Sequence, residues 1–456
     1  MKILLLYPPG NTSFISPPLG LLYIAATLLK DNHEVYILDY LIENFTEEHL
    51  AGFIKDKKIE LVGISVVTPL ANQAKTVSEI IRKNFPEIKI IMGGPHPTLL
   101  PEETLKNCPA VDFLTLGEGE LRLPKLIASL NENNFNSLDG LAFRQENEIV
   151  INPVAEYIED LDRLPFPARH LVDLEKYSRK MASRHFPATT MFTTRGCPFN
   201  CIYCSKPISG KMFRKRSPEN VIEEIELLKR DFGIKEIIFY DDTITFDRER
   251  IWKICQLLIE KRLNIKWKCE TRVNLVDKEL LQKMSEAGCY MVAFGIESGS
   301  QRVLDILRKG ITLQQIENAV GWANGASISV LGYFMLGIPG ETEEEIEATI
   351  KLAKRLNIDY AQFSIATAFP GTELYEIAKK AGKIDTDWSK SFYALSGVKA
   401  ETSLSNVPIE KLREYLKKAY RSFYFRPRFV FKKIAGLRSA SDLFYNLKGL
   451  RTLLKI

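Results

Sequence analysis

The sequence has no run of 18 apolar residues, so no transmembrane helix is expected. No G-x-G-x-x-G follows its first β-rich run, which disfavours a dinucleotide. No G-x4-G-K-[ST] appears anywhere, which excludes a P-loop. Cysteine is sparse: there are seven, and none follows Cys289. That is not a disulfide scaffold, and ligands or core residues are the expected uses. The opening MKILLLYPPGNTS is too short for a signal peptide and reads as a first strand, so a cytoplasmic protein is expected.

What is present is the material of a globular protein, 45% hydrophobic and 26% charged over 456 residues. That length suggests two to four domains. The net charge of +5 is unevenly placed. From Lys411 to Ile456 there are 13 Lys/Arg against Glu414 and Asp442, a local +11 that leaves −6 on the rest. An acidic body with a basic tail points to an anionic partner for the tail.

Residues 1–131 alternate β-rich runs (KILLLYP, HEVYILDY, ELVGISVV, IKIIMGG, DFLTLGEG) with helix-length segments. Five such units predict an α/β domain with a doubly wound parallel sheet, its ligands at the carboxyl ends of the strands. Residues 132–188 read as a connector with a small hairpin, LAFRQENEIVINPV. From 189 to 390 the alternation resumes with six further strands, and Ser217-Pro218, Asp247, Asp277 and Thr342 sit where helix caps belong. Six β–α units predict a partial (β/α)6 barrel. Residues 391–456 form a helical, basic C-terminal region in which Ile409, Leu412, Tyr415, Leu416, Tyr420 and Phe423 follow helical spacing until Pro427.

Cys197, Cys201 and Cys204 form C-x3-C-x2-C in RGCPFNCIYCS, on a loop just after a predicted strand. Zinc usually takes paired C-x2-C motifs, and the other cysteines (108, 255, 269, 289) are scattered. Iron–sulfur clusters normally take four cysteines, so three would leave one iron open. This motif, with Tyr203 in the aromatic position, resembles the signature of the radical S-adenosylmethionine superfamily. The resemblance implies a 4Fe-4S cluster on Cys197, Cys201 and Cys204. It also implies S-adenosylmethionine bound to the open iron and an external electron donor. Reduction would yield a 5′-deoxyadenosyl radical that abstracts hydrogen from an unactivated carbon. Tyr203 would lie near the adenine, Asp241 and Asp242 would receive the methionine amino group, and Glu270 and Arg272 would grip ribose and carboxylate. Glu297, with Ser298 beside it in FGIESGS, would hold ribose hydroxyls. GIPGE at 337–341 and FPGT at 369–372 read either as backbone approaches to the cosubstrate or as ordinary turns.

PPLGLLYIAA (17–26), VGISVVT (62–68), GGPHPT (93–98), LGEGE (116–120) and DLDRLPFPAR (160–169) resemble the Rossmann-like cobalamin-binding domain that precedes many such barrels. The resemblance spans roughly residues 1–390. It implies cobalamin held by Ser65, Thr68, Gly93, Gly94, His96, Gly117 and Glu118. One departure is that D-x-H-x-x-G is absent: Asp39 to Asn44 contains no His. Cobalt would then lack the imidazole that this motif supplies.

The expected activity is that of a cobalamin-dependent radical S-adenosylmethionine methyltransferase acting on an unactivated carbon. One S-adenosylmethionine would methylate cobalamin and a second would yield the radical. Ring formation, oxidation and carbon–carbon coupling use the same cofactors and remain open. A non-catalytic cobalamin or redox sensor is the alternative of another class; the intact cysteine triad argues against it. No catalytic residue beyond the cofactors is singled out. The tail interleaves Lys/Arg with Phe423, Tyr424, Phe425, Phe429, Phe431 and Phe444. That pattern suits an anionic membrane surface reached through residues 408–456, a peripheral attachment, better than nucleic acid. It equally suits helices packed on the barrel with solvated basic faces. The expected substrate is a hydrophobic or lipid-linked small molecule.

Overall fold

The computed structural model describes residues 1–10, 15–132, 134–146, 148–384, 402–427 and 429. Two compact units emerge: Met1–Pro198 with Lys206–Glu236, and Phe199–Ser205 with Ile237–Ile456.

In the first unit, β1 (Lys2–Tyr7), β2 (Glu34–Asp39), β3 (Leu61–Ser65), β4 (Lys89–Gly93) and β5 (Phe113–Thr115) form a parallel sheet in the order β2-β1-β3-β4-β5. Its strands are apolar on both faces because both faces are covered, as parallel sheets require. Leu4, Leu6, Val62, Ile64, Ile90 and Met92 face one core. Ile3, Leu5, Leu61, Ile91 and Phe113 face the other, against Leu21, Ala25 and Leu28 of the helix Leu19–Lys30. The hairpin expected in the connector is present as β6 (Leu141–Gln145) and β7 (Glu148–Ile151). It extends this sheet: β6 runs antiparallel to β5, with Leu114 opposite Ala142. The order reverses between β1 and β3, and a ligand-binding crevice belongs at that switch point.

The same unit holds β8 (Ala188–Met191) and a short antiparallel ribbon, β9 (Thr194–Arg195) with β10 (Arg214–Lys215). The first of the six strands expected from 189 onward is therefore split into two, β8 and β9. The ribbon closes the stem of the cysteine loop. Beneath it, Glu224 on the helix Pro218–Phe232 is fully buried between Arg169 and Arg216.

Strands β8, β11 (Glu236–Phe239), β12 (Lys266–Thr271), β13 (Cys289–Glu297), β14 (Ser329–Leu336) and β15 (Tyr360–Ile365) alternate with helices along the chain. The last four run parallel in the second unit, in the order β15-β14-β13-β12. The expected caps are made. Ser217 accepts from Asn220, Asp247 from Arg250 and Asp277 from Leu280, and the Thr342 amide donates to Glu345.

The helix Ile409–Tyr424 covers the free edge of β15. The Tyr420 hydroxyl accepts from the Phe363 amide and donates to its carbonyl, and Tyr424 does the same with Ala361. Two phenols thus satisfy an edge that would otherwise offer unpaired backbone groups. Lys411 and Lys418 pair with Glu343 and Glu347 on the helix Glu343–Arg355, so part of the tail's charge is spent within the fold. Residues 430–456, which carry most of the remaining aromatic–basic pattern, lie outside the described residues. Among the described residues no helix is long and apolar enough to cross a membrane.

Candidate active site

The cysteine loop is pinned at its tip. The Ile202 side chain is buried with Val303, Leu307, Ile338 and Leu374. Its amide donates to the Leu307 carbonyl (3.2 Å), and its own carbonyl accepts from Leu374 (2.9 Å). Cys201 and Cys204 flank a residue held from both sides. Arg272 is buried and donates from Nη1 to Cys201 Sγ at 3.3 Å and from Nη2 to the Lys309 carbonyl. It also stacks on the Phe199 ring, 3.8 Å from the centroid. The resemblance implied that Arg272 grips ribose and carboxylate; in the fold its guanidinium also contacts the cysteine loop.

Cys197, Cys201 and Cys204 are in no disulfide. Among the described residues no three His, Cys, Asp or Glu side chains are grouped closely enough to hold a metal ion. The three thiols of the loop supply the donor chemistry that an iron–sulfur cluster takes.

At the carboxyl end of β13 the strand bulges between Gly295 and Glu297, and Glu297 adopts a φ of 65°. A left-handed backbone is unfavourable for Glu and marks a position held by its surroundings. Those surroundings are Lys309 and Tyr203. Lys309 Nζ lies 2.8 Å from Glu297 Oε1 and 2.9 Å from the Tyr203 hydroxyl, which itself donates to Glu297 Oε1 at 2.8 Å. Burial, then the Glu297 charge, raises the Tyr203 pKa well above its ordinary value, so the phenol remains a neutral donor. Lys309 was missed from sequence. Its only local sign is R-K-G after a helix, where Arg308 and Gly310 are both left-handed.

Glu270 accepts from the Tyr333 hydroxyl at 2.8 Å. Water reaches its side chain, yet enclosure raises its pKa; the Tyr333 bond opposes the rise and the Asp242 charge adds to it. Asp241 is buried and Asp242 exposed, both just beyond β11. The Ser298 hydroxyl pairs with Thr349 Oγ1 at 3.1 Å and accepts from the Ser300 amide.

In the GIPGE turn Glu341 is fully buried. Its Oε2 accepts from the Gly337 and Ile338 amides at 2.6 and 3.0 Å, and Oε1 has no hydrogen-bond partner among the described residues. Burial raises its pKa from 4.5 to about 7 against those two bonds. The folded state then holds this proton more tightly than the unfolded chain. The resulting stabilisation is complete below about pH 4.5 and is lost as pH rises through about 7. Glu341→Gln is expected to flatten the stability profile between pH 5 and 8 by up to about 3 kcal/mol. Denaturant midpoints at four pH values check this; parallel profiles for the two proteins would contradict it.

In the first unit the candidate residues gather at the strand ends. Ser65 and Gly93 are register partners ending β3 and β4. Gly94 has a φ of 100°, and a Cβ there would lie 3.0 Å from the Val66 carbonyl oxygen. A Cβ on Gly93 would lie 2.7 Å from Thr115 Oγ1. The protein's own packing thus already requires both glycines. Thr68 is buried at the start of a single 3-10 turn. His96 is buried, its Nδ1 has no hydrogen-bond partner among the described residues, and burial lowers its pKa to about 4. A neutral imidazole with an unmet polar atom beside the switch point fits a bound cofactor there. Gly117 is left-handed and donates its amide to Thr98. The Glu118 side chain is fully buried, with its oxygens on Arg195, Arg214 and the Ile158 amide. Burial alone would raise its pKa; Arg214 and Arg195 outweigh that and hold it below the usual carboxylate range.

A parallel sheet with a ligand crevice, followed by β–α units bearing a three-cysteine loop, defines an enzyme that combines a metal cluster with a sheet-bound cofactor. Comparison with known proteins gives the same pair. A model of the radical SAM superfamily matches residues 191–353, and one of the B12 binding domain matches residues 10–127. An uncharacterized methyltransferase of Pyrococcus horikoshii is 38% identical over 95% of each chain. The anaerobic magnesium-protoporphyrin IX monomethyl ester cyclase of Rubrivivax gelatinosus is 29% identical over 82% of this chain and 70% of its own. The radical S-adenosylmethionine methyltransferase TsrM of Kitasatospora setae, solved with a SAM analog bound, superimposes with a TM-score of 0.73. That match has 20% identity over 84% of this chain and 77% of that one. The chain belongs to the radical SAM superfamily, in the branch that carries a B12-binding domain. Its cofactors are a 4Fe-4S cluster, S-adenosylmethionine and cobalamin.

Proposed function

We propose that the protein methylates an unactivated carbon of a hydrophobic or lipid-like substrate. The observation that carries this reading is the presence in one chain of two sites. One is a cysteine loop with Arg272 on Cys201; the other is a parallel sheet with the unmet His96 nitrogen at its ligand end. When bound, the cluster and S-adenosylmethionine supply a hydrogen-abstracting radical and cobalamin supplies a methyl group. The chain's own residues hold these groups. Cys197, Cys201 and Cys204 ligate the cluster, and Arg272 braces the loop. The Tyr203–Glu297–Lys309 cluster and Glu270 offer hydroxyl, carboxylate and ammonium groups to the cosubstrate. Ser65, Thr68 and His96 line the cobalamin crevice.

The similarity to a cyclase supports ring formation as the second reading. Product analysis separates the two. The protein is reconstituted anaerobically with iron, sulfide and cobalamin, then given S-adenosylmethionine, a reductant and membrane extract. Methylation yields both 5′-deoxyadenosine and cobalamin-dependent S-adenosylhomocysteine; 5′-deoxyadenosine alone would overturn it in favour of cyclisation, oxidation or coupling. The basic–aromatic composition of the tail supports a lipid-linked substrate met at an anionic surface. Flotation with anionic vesicles tests that part. Truncation belongs at 430 rather than 408, because the helix Ile409–Tyr424 covers the β15 edge. Flotation unchanged by that truncation, or none at all, would refute it.

A further inference from the structure

We propose that Glu118 is a positioning residue that couples the cobalamin crevice to the stem of the cysteine loop. This rests on the assignment of both cofactors above. The link is continuous within the first unit. Thr98 Oγ1 donates to the Gly94 carbonyl at 2.8 Å and accepts from the Gly117 amide at 3.0 Å. Gly94 directly follows β4, and Gly117 precedes Glu118. Glu118 Oε1 accepts from Arg195 Nη1 at 2.8 Å, and Oε2 accepts from Arg214 Nη1 at 2.8 Å and from the Ile158 amide at 2.8 Å. Glu120 takes the other end of the Arg195 guanidinium at 2.5 Å.

Arg195 and Arg214 face each other across the β9–β10 ribbon, so one carboxylate grips both strands of the stem. Their guanidiniums are further enclosed by the Tyr23 and Tyr157 rings, 5.4 and 5.2 Å away. Gly196, between Arg195 and the first cluster cysteine, is left-handed, and a Cβ there would lie 2.1 Å from the Met212 carbonyl oxygen. The stem has no slack at that point. A shift of the 116–120 turn on cobalamin binding is therefore passed to the residue pair that sets the course of Cys197. Buried ionic contacts have discrete arrangements and transmit such shifts more faithfully than solvated ones.

The test is hydrogen exchange on the cluster-free protein, with and without saturating hydroxocobalamin. Cobalamin binding is measured separately by equilibrium dialysis. In the wild type, cobalamin is expected to slow exchange in peptides spanning 93–98 and also in those spanning 194–196 and 206–216. In Glu118→Gln, which keeps the side-chain shape and removes the charge, slowing at 93–98 persists and slowing in the stem is lost. Thr98→Val breaks the link without touching Glu118 and is expected to do the same. Binding is reciprocal, so cluster assembly should tighten cobalamin binding roughly tenfold in the wild type and less than threefold in either variant. Stem protection that survives in both variants, or is missing from cobalamin-bound wild type, would overturn the coupling. Failure of wild type to bind cobalamin in dialysis would instead remove the cofactor assignment beneath it.

Discussion

Cys201→Ala is expected to abolish cleavage of S-adenosylmethionine, with 5′-deoxyadenosine falling by about a thousandfold or more, because residues that act as one unit fail together. Three thiolates are the least that leaves a four-iron cluster with one open iron, and alanine offers no ligand. The effect is chemical rather than structural. Ile202 remains held by Leu307 and Leu374, so the loop tip keeps its anchor in the variant. Arg272 would keep its Lys309 carbonyl and Phe199 contacts and lose the sulfur. Iron content, the visible absorbance of the cluster and 5′-deoxyadenosine should all drop together. Continued cleavage by a folded Cys201→Ala protein would remove the cluster assignment. Cys108→Ala is the control, since Cys108 belongs to the core of the first unit.

Lys309→Met is expected to cost about 3–5 kcal/mol of stability, the usual consequence of leaving a buried charge without its partner. Lys309 and Glu297 have side-chain exposures of only 7% and 8%. Removing the ammonium strands the Glu297 carboxylate and leaves it, among the described residues, the Tyr203 hydroxyl. The backbone makes the loss worse, because Glu297 is held at a φ of 65° by the contacts its side chain makes. Lys309→Met with Glu297→Gln should recover part of the loss, since the pair then carries no unmatched charge. Denaturant unfolding of the wild type, both single variants and the double variant measures this as a cycle. Additive losses in that cycle would show that Lys309 and Glu297 do not act together.

Much of this protein was legible before any coordinate. Strands were readable because parallel strands covered on both faces are apolar throughout, and that pattern survives in β1, β3 and β4. Caps were readable because Ser217, Asp247 and Asp277 act on amides three residues away. The cysteine loop was readable because its three donors lie within eight residues. Lys309 was not, since its partners are 12 and 106 residues distant in the chain. Tyr333 was not, since it lies 63 residues from Glu270 and meets it only across the intervening strand β13. Ser298 sits in a readable motif, yet its hydroxyl serves Thr349 on a later helix. Glu118 read as a ligand contact because it lies at a strand end; the fold fills its oxygens with arginines from the cysteine-loop stem.

The two-part α/β plan, the helix starts and the three-cysteine motif could be read from the chain alone, because each depends on neighbours a few residues apart. Packing fixed which charges are spent within the fold. Lys411 and Lys418 became ion pairs, Tyr420 and Tyr424 became edge caps, and Arg272 became a brace for Cys201. Each depends on what the rest of the chain brings within hydrogen-bond reach, and that distance is set by packing rather than by spacing.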